Sequence, residues 1–207
     1  MTLKLIVEKL MRIEKKFITS SELKKYCRIL KFDYYTAIRY LTYHKYLERI
    51  FKGIFYIYSI EERKLGKSEM NFYEILNSAL KIKGIKNWYF GLETALKFNN
   101  LTHEYFTIDY IINDKIFRAK PISIMKRKVK LYKLTSKIMN LGIIKSPFNY
   151  SDAEKTALDL LYLKHYSKGE FEELTKNMSK KKIVKYNKKY PKNILKGIDK
   201  YDKKEYN

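Results

Sequence analysis

Leu3, Ile6, Leu10 and Ile13 recur at spacings of three and four, which predicts an amphipathic helix over residues 2–14 with Lys4, Lys9 and Arg12 outside its apolar stripe. A short β-prone run, Phe17-Ile18-Thr19, follows. Ser20-Ser21 then supplies an N-cap, because a hydroxyl there accepts from the free amides of the next turn, and Leu23, Tyr26, Cys27 and Leu30 form a second apolar face. Asp33 caps a third helix that runs to Lys45. Helical geometry puts its Tyr34, Ala37, Ile38 and Leu41 on one side and Tyr35, Thr36, Arg39, Tyr40 and Tyr43 on the other. Residues 47–59 are two β-prone runs joined at Lys52-Gly53, where glycine meets the positive φ of a tight hairpin. Three short helices followed by a hairpin are the element order of a winged helix-turn-helix.

The pattern then breaks. Residues 61–69 are charged, contain Gly66 and fit neither flanking period, so they are the expected linker between a domain over 1–60 and a second over 70–207. Phe72, Ile75, Leu76 and Leu80 predict a helix across 70–83, Trp88-Tyr89-Phe90 a strand, and Gly91 the start of a helix carrying Leu92, Ala95 and Leu96. β-rich runs at Tyr105–Ile112, Lys115–Arg118, Ile122–Val129 and Gly142–Phe148, with a turn at Asn113-Asp114, predict a small antiparallel sheet. From Ser151 the helical period returns, with Ser151 or Asp152 as cap, Glu154 placed for a capping box, and Ala157, Leu158, Leu160 and Leu161 as the apolar face. Further helices are expected over 169–178, 180–190 and 191–201, with Pro191 separating the last two. The fold class expected is α+β: an N-terminal winged helix-turn-helix, then an α+β domain with a small antiparallel sheet and a helical end.

Charge adds a class of partner. The 207 residues hold 45 Lys and Arg against 22 Asp and Glu, a formal charge of +23, and such a surface attracts polyanions, nucleic acid first among them. The excess is spread along the chain, and the abundance of Lys, Ile, Tyr and Asn is also what an A- and T-rich genome produces, so charge permits nucleic-acid binding without diagnosing it. No run of about 18 apolar residues occurs and the first residues alternate charged with apolar, so a soluble cytoplasmic protein with no membrane partner is expected. Cys27 is the single cysteine, which excludes an intramolecular disulfide and a multi-cysteine zinc site. His44, His103 and His165 are scattered without metal-ligand spacing, and Gly66-Lys67-Ser68 lacks the phosphate loop's upstream glycine, which is Glu61 here. No cofactor and no metal are expected.

The candidate chemistry is therefore recognition. On the third helix, Arg39 has the reach for guanine edges or phosphates, while Tyr35, Thr36, Tyr40 and Tyr43 offer hydroxyls to phosphate or apolar contact to a thymine methyl. Lys31, in the turn before that helix, and Lys52, at the hairpin tip, are backbone contacts, and Lys126, Arg127 and Lys128 are additional candidates for phosphate. For each tyrosine an ordinary surface role is the alternative, as a solvated face is for the lysines around Lys180–Lys192. The rival class is a metal-dependent nucleic-acid enzyme using Asp109 and Asp114. It is disfavoured because neither a Gly-Ser followed by Asp-x-Asp nor an Asp with a downstream Glu-x-Lys is present in the second domain.

Three segments resemble one family. Tyr89-Phe90-Gly91-Leu92-Glu93-Thr94-Ala95-Leu96, continuing to Asn100-Leu101-Thr102, resembles an aromatic, small, Ala-Leu, Gly-Leu-Thr stretch of the AbiEi antitoxin-type transcriptional regulators. Ser151-Asp152-Ala153-Glu154-Lys155-Thr156-Ala157-Leu158-Asp159-Leu160-Leu161 resembles that family's second signature, and Lys52-Gly53-Ile54-Phe55-Tyr56 its wing. Asn100 stands where the family often has glycine, a change that a left-handed conformation tolerates. The resemblance implies a repressor of its own operon, bound to double-stranded promoter DNA. It also implies the antitoxin half of a type IV, abortive-infection pair, opposing a nucleotidyltransferase-like toxin without requiring a stable complex. A winged-helix regulator unrelated to toxin systems is the alternative.

Overall fold

The computed structural model describes residues 2–191, 194–198 and 201. The chain divides into two compact units, one of Met1–Gly84 with Ile124–Lys126 and one of Ile85–Ser123 with Arg127–Asn207.

In the first unit the three-four spacing becomes α1 (Thr2–Met11), whose Ile6 and Leu10 are fully buried. After β1 (Phe17–Thr19) comes α2 (Ser20–Ile29). Its cap is Thr19, one residue before the expected serines. A capping box needs an acid three residues after the cap. Glu22 provides it, accepting from the Thr19 amide at 2.8 Å while Thr19 Oγ1 accepts from the Glu22 amide at 3.2 Å. Asp33 caps α3 (Tyr34–Tyr43), accepting from the Thr36 amide at 2.7 Å. β2 (Leu47–Phe51) and β3 (Ile54–Ile57) meet at Lys52-Gly53, where Gly53 has φ +84°. The three strands form an antiparallel sheet in the order β1-β3-β2, with Phe17 opposite Tyr56 and Leu47 opposite Ile57. One core joins these elements through Ile6, Leu10, Leu23, Cys27, Leu41 and Phe55.

The stretch expected to be a linker holds α4 (Ile60–Leu65), capped by Ser59 and closed by Gly66 at φ +63°. Glu62 explains the order there. It is almost completely buried and accepts from the Ser59 amide at 2.7 Å, the Glu69 amide at 2.8 Å, the Tyr56 hydroxyl and Lys16 Nζ at 3.2 Å. α5 (Phe72–Ile82), capped by Asn71, completes the unit.

Burial alone would raise the Glu62 pKa, but the donors from Ser59, Tyr56, Glu69 and Lys16 prevail and hold it below the ordinary carboxylate value. Its folded pKa is therefore depressed. The stability it contributes is fully present above the unfolded pKa and is lost as pH falls through the folded one. Glu62→Gln is expected to cost about 2–3 kcal/mol near neutral pH. It should also flatten part of the acid limb of a stability-against-pH curve measured by urea titration, and an unchanged acid limb would count against this network.

Beyond residue 84 the chain forms β4 (Trp88–Phe90), α6 (Leu92–Phe98), β5 (Ile108–Asn113), β6 (Ile122–Ile124), β7 (Arg127–Lys133), α7 (Ser136–Met139), β8 (Ile143–Ile144), β9 (Tyr150–Ser151), α8 (Ala153–Tyr162), α9 (Lys168–Leu174) and α10 (Lys180–Asn187). The sheet order is β6-β7-β5-β4-β9-β8. The class is α+β as expected, but the sheet is mixed instead of antiparallel. β4 and β8 run antiparallel to their neighbours β5 and β9, whereas β5 with β7 and β4 with β9 are parallel. Alternation of side chains is the same in either direction, and parallel neighbours need only a connection long enough to return, which residues 114–126 supply between β5 and β7.

Two expected strands are also revised. Lys115–Arg118 is a loop folded around buried Asn113, whose amide donates to the carbonyls of Ile116 (2.8 Å) and Tyr132 (2.9 Å). The run Ile122–Val129 is broken by Met125-Lys126, both at positive φ (47° and 66°), the conformation of a two-residue hairpin turn. Towards the end, α9 and α10 are shorter than expected. Described residues 194–197 form a turn where a last helix over 191–201 was expected, and Lys192, Asn193, Asp199 and Lys200 lie outside the described residues. No helix among the described residues is long and apolar enough to cross a membrane.

Gly91, at the start of α6, packs against the sheet. A Cβ there would come within 2.5 Å of Ile112 Cδ1 and 3.2 Å of the Tyr89 ring, and both residues are fully buried. Gly91→Ala is expected to cost about 1–3 kcal/mol through overpacking, read as a lower urea midpoint followed by Trp88 fluorescence.

Candidate nucleic-acid interface

α3 presents its polar side to solvent because Ala37 and Leu41 are buried on the other. Tyr35 and Tyr43 are 71% and 80% exposed, and Thr36 and Arg39 are exposed between them. Tyr35, Thr36, Arg39 and Tyr43 thus share one face along about two turns. Two of the candidates are already engaged. Thr36 Oγ1 donates to Asp33 Oδ1 at 2.7 Å, and the two Thr36 bonds hold the Asp33 carboxyl below the ordinary range. Tyr40 is half-buried and stacks on Tyr46 with centroids 6.3 Å apart, so it lies at the edge of the face.

The hairpin tip is tied to the helix starts. The Ser20 amide donates to the Gly53 carbonyl at 2.9 Å, and the Tyr34 hydroxyl donates to Ser20 Oγ at 2.8 Å. These bonds bring Lys52-Gly53 to the N-terminal ends of α2 and α3, and the Lys52 side chain is exposed. Lys31, with φ +48°, is exposed in the turn between α2 and α3. A groove of about 500 Å³ runs between α3 and β2, with Tyr35 and Thr42 on one wall and Glu48 and Arg49 on the other. Arg49, exposed in Leu47–Phe51, was missed in reading the sequence. Strand alternation does not announce it, because it shares parity with buried Leu47 and Phe51, and the pattern breaks at the register shift between Arg49 and Phe51.

The candidates in the second half do not act as a group. Lys126 and Lys128 are exposed, but Arg127 is half-buried, with its guanidinium 2.8 Å from the carboxylate of buried Asp109. Asp114 accepts from the Asn87 amide at 2.8 Å. Among the described residues no three His, Cys, Asp or Glu side chains are arranged to hold a metal ion.

A second polar cluster was not read from the sequence. The cap of α8 is Asp152, accepting from the Lys155 amide at 2.9 Å, and Glu154 makes no capping box. Glu154 instead pairs with Lys182 at 2.8 Å, and Lys182 also reaches Asp152 at 2.9 Å. One turn into α8, Lys155 and Asp159 are both fully buried, 3.2 Å apart. Asp159 also accepts from the hydroxyls of Tyr89 (2.9 Å) and Tyr190 (2.6 Å), and the Lys155 ammonium lies 4.7 Å from the Tyr89 ring centroid. Burial lowers the Lys155 pKa against the opposing pull of Asp159, and burial together with Asp159 raises both tyrosines well above their ordinary value. Nearby, His165 is held between Glu93 (2.8 Å) and the Tyr132 hydroxyl (3.0 Å).

No family model matches the sequence, and no curated protein matches it. The fold is similar to that in the crystal structure of the RV2827C protein from Mycobacterium tuberculosis. The TM-score is 0.60 at 12% identity over 94% of this chain and 73% of that one. At that identity the likeness is one of fold.

Proposed function

We propose that this chain is a sequence-specific repressor binding double-stranded DNA. In this reading the domain over residues 1–60 is a winged helix-turn-helix, α3 its recognition helix and β2–β3 its wing. The observation that carries the proposal is the outward face of α3. A short helix that buries one side in a three-strand unit and exposes Arg39, Tyr35 and Tyr43 on the other has the shape and chemistry that enter a major groove. Lys52 and Lys31 supply phosphate contacts beside it, each neutralised phosphate steepening the salt dependence.

The resemblance of the Tyr89–Thr102 and Ser151–Leu161 segments to AbiEi regulators extends the proposal. The DNA is the chain's own promoter, and the protein is the antitoxin opposing a nucleotidyltransferase-like toxin. The DNA part is tested by titrating promoter and shuffled duplexes at several salt concentrations. A promoter preference that persists as salt rises supports it, and equal affinity for both at every salt concentration contradicts it. The toxin part is tested by co-expression with the neighbouring open reading frame. Relief of growth arrest supports the antitoxin role, and its failure leaves the repressor alone.

A further inference from the structure

A cleft of about 720 Å³ opens in the second unit between the segment leading into α7 and the end of α10. Thr135, Ser136 and Lys137 form one wall, and Lys188, Lys189 and Tyr190 the other, and among the described residues no carboxylate lines it. The sequence around it is one-sided, because residues 174–198 contain nine lysines and no Asp or Glu. Some of these lysines are already committed, Lys182 to Asp152 and Glu154, and Lys176 to Glu173. Lys137, Lys188 and Lys189 are exposed and form no ion pair with the described residues. Clefts lined by one sign of charge focus the field and concentrate the opposite ion.

The walls are held in place before any ligand arrives. The amides of Lys189 and Tyr190 donate to the carbonyls of Tyr186 and Asn187, each at 3.0 Å, and the Tyr190 hydroxyl anchors that turn to buried Asp159 at 2.6 Å. Opposite, Ile138 and Met139 are buried, and the Ile138 amide closes on the Thr135 carbonyl at 3.1 Å.

We propose that this cleft binds a condensed phosphate chain, either as the triphosphate of a nucleotide or as inorganic polyphosphate. Three ammonium groups and two hydroxyls offer point-charge and short donor contacts spread over the two walls. Several cations on opposite walls match a chain of linked phosphates, which carries several negative charges along its length, better than a carboxylate, which carries one. The volume falls in the range of small-molecule sites, about 300–1,000 Å³. The proposal does not depend on promoter recognition by α3.

Calorimetric titration of the full chain with inorganic triphosphate and with ATP, at physiological salt, tests it. One saturable site is expected, weakened about a hundredfold in the triple variant Lys137→Ala, Lys188→Ala, Lys189→Ala. A control removing the same charge elsewhere, Lys64→Ala, Lys67→Ala, Lys86→Ala, is expected to bind as the parent does. Tighter binding of ATP assigns the cleft to a nucleotide, and equal affinity assigns it to condensed phosphate itself. Equal losses in the two triple variants, binding that does not saturate, or a dependence on the three lysines seen only with a DNA duplex would each overturn the proposal.

Discussion

Lys155→Met is expected to destabilise the second unit by about 3–5 kcal/mol, a large share of the 5–15 kcal/mol that usually holds a domain together. The substitution keeps the length and much of the volume of the side chain, so the cost is electrostatic. It leaves the Asp159 carboxylate fully buried with only the Tyr89 and Tyr190 hydroxyls as partners. Removing both charges, as Lys155→Met with Asp159→Leu, should recover most of the loss, since a buried pair replaced by apolar groups of similar size is often neutral. Trp88, the one tryptophan, lies in β4 beside Tyr89 and reports on this unit in urea titrations. A single variant within about 1 kcal/mol of the parent would show that the pair is dispensable.

That pair also shows where the sequence was opaque. Lys155 and Asp159 are four residues apart on a helix, the spacing of an ordinary surface ion pair. Their burial depends on tyrosines from positions 89 and 190, which no local pattern announces. Asn113 is similar, a turn-forming residue by type but in the fold a buried bracket for the 115–118 loop. Glu62, in a segment of linker composition, is the third such case, because its donors come partly from Lys16 and Tyr56. Strand direction was invisible for a different reason, since alternation reports which face is buried and not which way the neighbour runs.

By contrast, the helices and hairpin of the first unit were legible almost residue by residue. Their periodicity, the Asp33 cap and the Lys52-Gly53 turn are all local. The cap at Thr19 in place of Ser20-Ser21 follows from where Glu22 stands, whereas α1 and α3 end earlier than expected, at Met11 and Tyr43, and α4 was not expected. Of the α3 candidates, Tyr35, Arg39 and Tyr43 are exposed together as helical geometry requires, while Tyr40 is drawn aside by Tyr46, a partner beyond the helix.

Arg39 is the residue on which selectivity should turn. It is exposed at the centre of the face, between Tyr35 one turn before and Tyr43 one turn after. It is also the arginine of that face, the side chain whose fork fits the paired acceptors of guanine. A bidentate contact of that kind discriminates by about 1–3 kcal/mol, so its loss should lower preference by roughly one to two orders of magnitude. Phosphate contacts from Lys31 and Lys52 would remain, and with them unselective binding.

The most direct measurement is the ratio of dissociation constants for a shuffled duplex and the chain's own promoter, taken at one physiological salt concentration for the parent and for Arg39→Ala. The account predicts a parent ratio of about a thousand or more and a fall of that ratio by about one to two orders of magnitude in Arg39→Ala, while affinity for the shuffled duplex is retained. A parent that binds both duplexes equally, or an Arg39→Ala protein that still selects its promoter as the parent does, would contradict it.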